Sequence, residues 1–165
     1  MEGLFLDEGR RWVERAIAFY EATGKTITLT EFSNPRGPFV KGEQCLYVLD
    51  TNGTMLAHPL NEKYTGKDFY GVQDAEGKSF FKDIVDTANA KGCGWVSYKW
   101  FDPTAKIAVN KMVYFEKIDN MIFCSDTHKG KPVYGPSNGR QSHGPSGKPL
   151  RKASLRSLIQ RLMSI

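Results

Sequence analysis

The sequence predicts an α+β fold: an N-terminal helix packed on an antiparallel sheet of five to six strands. Three observations predict it. Residues 8–23 repeat Trp12, Ala16, Phe19 and Tyr20 at helical spacing. Residues 44–58 place two apolar runs, QCLYVLD and MLAH, around the turn TNGT. Residues 95–127 hold three further runs of β-type residues, WVSYKWF, IAVNKMVYFEK and MIFCSDT, separated by short connections. Strands in succession, with helices before and within them, indicate α+β.

Gly24 supplies the stop for the helix over 8–23. A second, short helix is predicted near 28–33, where NPRGPF breaks it. Strands follow at 44–50 and 55–58, and Asn52-Gly53 between them suits positive φ. Residues 59–77 form a long connection rich in Gly, Asp, Lys and Tyr, and a loop of that length in a compact domain is usually functional. A helix over 78–91 carries Phe80, Phe81, Ile84, Val85 and Ala88 on one side and stops at Gly92. Strands at 95–101, 107–117 and 121–127 are joined by DPTAK and IDN. The folded unit therefore covers residues 1–128. Residues 129–149 read as a flexible Gly/Pro/Ser-rich linker, and 150–165 as a basic amphipathic helix or a disordered tail.

Composition narrows the function. The 165 residues suffice for one domain; 40 % are apolar and 25 % charged, as in ordinary globular proteins. No stretch approaches the roughly 18–20 apolar residues of a membrane span. The first ten residues, MEGLFLDEGR, do not read as a signal peptide, so the chain is cytoplasmic or its targeting segment lies outside this sequence. Cys45, Cys93 and Cys124 are odd in number and widely spaced, which argues against a disulfide framework or a CxxC metal site. The net charge of +5 is unevenly spread. Residues 129–165 hold eight Lys or Arg and no acid, leaving 15 basic against 18 acidic side chains in residues 1–128. The body is thus mildly acidic and has no reason to attract nucleic acid. GPSNG at 135–139 matches a nucleophile-elbow string but lies in the linker without its strand and helix. No cofactor is implied.

Lys111 is the most specific clue. Alternation along 107–117 puts it on one face with Val109, Val113 and Phe115. Desolvating an ammonium is costly unless it is paired. A ligand carboxylate would pair it; so would a loop acid such as Asp68 or Asp74, and a side chain that snorkels to solvent needs no partner. On the neighbouring strand Tyr98 and Trp100 share a face with Val96, either as donors to an anion or as core aromatics. His58 ends the second strand, at a pocket mouth or simply solvated. Tyr47, on the first strand, is a weaker candidate. Tyr114 lies opposite Lys111 by alternation and joins the same pocket only if a bulge shifts the register. Asp74 precedes a turn and is read as a cap for the helix beginning near Ser79.

The order of motifs carries a resemblance. The chain reads YVLDTNGTMLAHP at 47–59, GKDF at 66–69, DAEGKSFFKDIV at 74–85, GCGWVSYKWFDP at 92–103 and KMVYFEKIDN at 111–120. Over about residues 8–128 this resembles the single Cache domain, a PAS-like extracytoplasmic sensor module of bacterial receptors. The resemblance implies a pocket between the sheet and the loop and helix after the first hairpin. It implies small organic acids, amino acids or related metabolites as ligands, and it strengthens the ligand reading of Lys111. It also implies signal transduction, as in chemotaxis, through a membrane receptor or other signalling partner. This sequence departs from the receptor pattern in its short N-terminal helix and in showing no membrane span, kinase or methyl-accepting region.

Two functions are thus expected. The first is a non-catalytic sensory domain for a small carboxylate. The second is an interaction module with a self-filled pocket, whose basic tail docks an anionic membrane or a partner protein. An enzyme is least supported, because no nucleophile, carboxylate pair or metal cluster emerges. The sequence leaves the oligomeric state open.

Overall fold

In the computed structural model the described residues are 2–41, 44–102 and 106–128, with side chains described for 8–41, 44–101 and 106–126. The expected linker and tail lie outside them. Helix α1 runs Glu2–Thr23 and α2 runs Lys25–Phe32. The strands are β1 Val40–Lys41, β2 Gln44–Asp50, β3 Met55–Ala57, β4 Cys93–Asp102, β5 Ile107–Ile118 and β6 Met121–His128. A 3-10 turn at Glu62–Tyr64 and helix α3, Phe80–Lys91, lie between β3 and β4.

The sheet has six strands, in the order β1-β2-β6-β5-β4, with β3 paired to β2 outside that path. Every pairing is antiparallel. The fold class read from the sequence is therefore the observed one, with β1 as a two-residue addition. The helix at the N-terminus begins at Glu2, earlier than the periodicity from residue 8 indicated. Helix α2 begins at Lys25, three residues before its expected start. Gly24, at φ 85, reverses the chain directly from one helix into the next, without any side-chain cap to announce the second. Of Asn52 and Gly53 only Gly53 takes positive φ, at 96°. A Cβ there would lie 3.0 Å from the Cβ of Tyr70, so the position needs glycine for space as well as conformation. Asp50 Oδ1 accepts the backbone N–H groups of Asn52 and Thr54, and the hairpin register is irregular between Val48 and Leu49.

Period-2 alternation splits the sheet residues between two cores. On one face Leu46, Val48, Met121, Phe123 and Tyr114 pack against Trp12, Val13, Ala16 and Phe32 of α1 and α2. On the other, Tyr47, Leu49, Val96, Tyr98, Val113, Phe115 and Ile122 meet Phe80, Phe81, Ile84 and Val85 of α3 and the connection that precedes it. Gly92, left-handed at φ 85, ends α3 with its N–H on the Ala88 carbonyl.

Candidate functional site

The second face is not filled. A cavity of ≈ 350 Å³ lies between it and the chain from His58 to Phe81. Its sheet wall comes from β2 (Cys45, Tyr47), β4 (Tyr98, Trp100), β5 (Val109, Lys111) and β6 (Asp126). Register explains the grouping: Tyr98 pairs directly with Lys111, and Val113 with Asp126. Asp126 is therefore a diagonal neighbour of Lys111 on the same face, a relation that typically spans roughly 7–8 Å. The opposite wall is largely apolar, with Met55, Tyr64, Phe69, Val72, Phe80 and Phe81.

That wall is held by backbone bonds from the long connection. Met55 N–H donates to the Lys67 carbonyl at 2.9 Å, Gly66 N–H to Met55 at 2.8 Å, and Phe69 N–H to Gly53 at 2.9 Å. Asp74 does not cap α3. Its buried carboxylate accepts the N–H groups of Glu76, Lys78 and Lys99, which pins the loop to β4. Asp68 accepts from Tyr70 N–H. Neither acid pairs with Lys111, so the two loop carboxylates considered as its partners are corrected to turn-forming roles.

Lys111 is 8 % exposed. No described carboxylate lies within 4.0 Å of its Nζ, which sits 5.7 Å from the centroid of the Trp100 ring. Tyr98 is buried and stacked on Phe80 at 4.1 Å; Tyr47 is buried and stacked on His58 at 5.6 Å. Burial pushes both phenols well above their ordinary pKa, so they stay protonated and able to donate. His58 Nδ1 accepts the N–H groups of Leu60 (3.2 Å) and Asn61 (3.1 Å). Burial, reinforced by the Lys111 charge, lowers its pKa to about 4. The ring is therefore neutral at pH 7 with its proton on Nε2, an N–H donor on a cavity-lining side chain. Five of the six residues singled out in the sequence, Lys111, Tyr98, Trp100, His58 and Tyr47, thus line one cavity. Tyr114 does not. The β4–β5 register is regular from Cys93↔Glu116 to Asp102↔Ile107, so no bulge turns it inward. It faces the helices, 4.7 Å from the Trp95 ring, and its hydroxyl donates to Glu116.

Asp126 was missed by the sequence reading. Its Oδ1 is inaccessible to solvent and has no hydrogen-bond partner. Burial raises its pKa above the ordinary carboxylate value, with Lys111 and the Tyr98 and Tyr47 hydroxyls pulling the other way. The available signal was alternation, which puts Asp126 on one face with Ile122 and Cys124. Among the described residues no group of three or more His, Cys, Asp or Glu side chains is placed to hold a metal ion. No helix among them is long and apolar enough to cross a membrane.

Comparison with known proteins gives a consistent family. Residues 15–121 match the model of "Single Cache domain 2". A methyl-accepting chemotaxis protein, McpP of Pseudomonas putida, is 30 % identical over 70 residues; these are 42 % of this chain and 13 % of that protein, so the chain spans a small part of its relative's length. Among solved structures, a periplasmic sensor domain of a chemotaxis protein superposes with TM-score 0.57 at 23 % identity, covering 78 % of this chain and 93 % of that one. A Cache chemosensory domain described for carboxylic acid recognition gives 0.56 at 23 %, covering 75 % and 88 %. A methyl-accepting chemotaxis protein of Vibrio parahaemolyticus gives 0.62 at 14 %, covering 77 % and 93 %. At these identities the structural likenesses show a shared fold.

Proposed function

The chain belongs to the single Cache domain 2 family, and from that membership we propose that it is the ligand-binding sensory part of a signal-transduction protein, taking a small carboxylic acid without transforming it. The observation that carries this reading is Lys111, an ammonium in the wall of a largely apolar cavity with no described carboxylate within 4.0 Å. A buried cation without an anion is costly, and a ligand carboxylate would supply the missing charge. The Tyr98 and Tyr47 hydroxyls on the sheet wall, and the His58 Nε2–H, 3.9 Å from Cys45 Sγ, add neutral donors around the cavity. The volume of the cavity weighs against the rival reading of a pocket filled by its own side chains. The likeness to a domain described for carboxylic acid recognition supports the same ligand class.

Affinity is bounded by size. A ligand of four to six heavy atoms gains at most about −6 to −9 kcal/mol, which is a Kd from tens of micromolar to near micromolar. That range suits reporting of metabolite levels to a receptor partner. Acetate, propionate, lactate and pyruvate, each titrated against the whole chain, are expected to raise Tm for at least one acid; saturation at 100 times Kd adds about 2.7 kcal/mol. Lys111→Met is expected to abolish that shift. Undiminished affinity of the Lys111→Met protein by calorimetry would take the amine out of the site.

A further inference from the structure

The cavity wall carries two ionisable groups of opposite sign that do not meet. Lys111 and Asp126 are diagonal neighbours on adjacent strands, both line the cavity, and their charged atoms form no ion pair within 4.0 Å. Asp126 Oδ1, shielded from solvent, lacks any donor. A simple carboxylate on Lys111 would answer the cation and leave this acceptor unanswered, with a second negative charge close by in a low-dielectric space. Size points the same way. The ≈ 350 Å³ cavity offers far more room than acetate or propionate fills, and the space beyond the charges is bounded by Met55, Phe69, Val72 and Phe81.

Resting on the reading of Lys111 as the carboxylate anchor, we infer that the occupant is a zwitterionic 2-amino acid with an apolar side chain. Its carboxylate sits on Lys111, its ammonium on Asp126, and its side chain against the aromatic wall. Two wall groups of opposite sign held apart are complementary to a molecule carrying the reverse pair on one carbon, and the filled cavity, with Asp126 ionised, is then electrically neutral. The groups facing Asp126 allow this. The Tyr47 and Tyr98 phenols stay protonated and His58 is neutral, so Lys111 is the cation among the described residues that line the cavity.

The test is calorimetry on the whole chain with matched pairs: L-alanine against propionate, L-valine against 3-methylbutanoate, L-leucine against 4-methylpentanoate, each at pH 5.5 and pH 8. In at least one pair the amino acid is expected to bind 30-fold or more tighter than its des-amino partner. Asp126→Asn is expected to erase most of that preference by weakening the amino acid while the des-amino acid binds as well or more tightly, and Lys111→Met to remove both. Circular dichroism melts confirm that each variant folds, and the wild-type pairs decide the question without either variant. Des-amino acids that bind as well as amino acids, and lose affinity with Lys111→Met, overturn the amino-acid assignment and leave the carboxylate anchor standing. If they also bind tighter at pH 5.5 and Asp126→Asn removes that dependence, Asp126 serves instead as a protonated donor to a plain acid. Binding of nothing in the panel overturns the inference together with the reading beneath it.

Discussion

The two faces of the sheet use the same alternating strands for opposite ends. On the side of α1 and α2, Leu46, Val48 and Phe123 of the sheet and Phe32 of α2 are fully buried. The Phe32 ring there lies 4.6 Å from Phe39 and 5.6 Å from Phe123. Facing α3 and the long loop, the same strands present Lys111, Asp126, Tyr47 and Tyr98 around a cavity. The first face removes apolar area from water, with Ser125 as a buried hydroxyl among its apolar side chains. The second holds polar groups short of partners, an arrangement that costs stability unless a ligand completes it. Both faces contribute a core, and the cavity with its polar groups lies on the α3 side of the sheet.

The largest way to break this division is Phe32→Ala. It should cost about 3–5 kcal/mol of stability, the usual range for a buried aromatic, with ligand affinity unchanged in the protein that remains folded. Denaturant melts and calorimetry check the two halves; a large loss of affinity would show that the faces are coupled. On the cavity side Asp74→Ala removes a carboxylate that accepts three backbone N–H groups. The expected cost is about 2–3 kcal/mol, accompanied by faster hydrogen exchange in residues 75–78 and weaker binding, because the loop forms part of the cavity wall. Exchange confined to other segments would refute that role.

The smallest expected effect sharpens the comparison through pH. The folded pKa of His58, about 4, lies below its ordinary value of 6.5. The unfolded chain therefore binds more protons between these values, and stability is full above about pH 6.5 and declines as pH falls toward 4. The decline is on the order of 3 kcal/mol. Asp126 acts in the opposite sense: its raised pKa favours the folded state at low pH, and that contribution fades as pH rises through the folded value. His58→Asn keeps an acceptor for the Leu60 and Asn61 N–H groups and should flatten the His58 part of the curve. An unchanged pH profile of chemical denaturation in that variant would mean His58 is not the titrating group.

Much of this was legible along the chain. Helical spacing fixed α3 and its buried side, Phe80, Phe81, Ile84, Val85 and Ala88, because periodicity is local. Alternation placed Lys111 with Val109 and Val113, and Tyr98 with Trp100, because successive strand residues must point to opposite faces. The start of α2 was not legible, since Gly24 does its work through backbone dihedrals and leaves no capping side chain.

What the order of amino acids determined by itself was the set of elements, the two-sidedness of each strand and the anomaly of a lysine on an apolar face. What only the tertiary structure decided was company. Strand β6 inserts between β2 and β5, and that insertion brings Asp126 beside Lys111 and onto the cavity wall with Tyr47. A regular register kept Tyr114 away. The reason is that strand pairing is a long-range choice, settled by how whole faces bury against helices, so a side chain's direction can be read locally while its neighbours cannot.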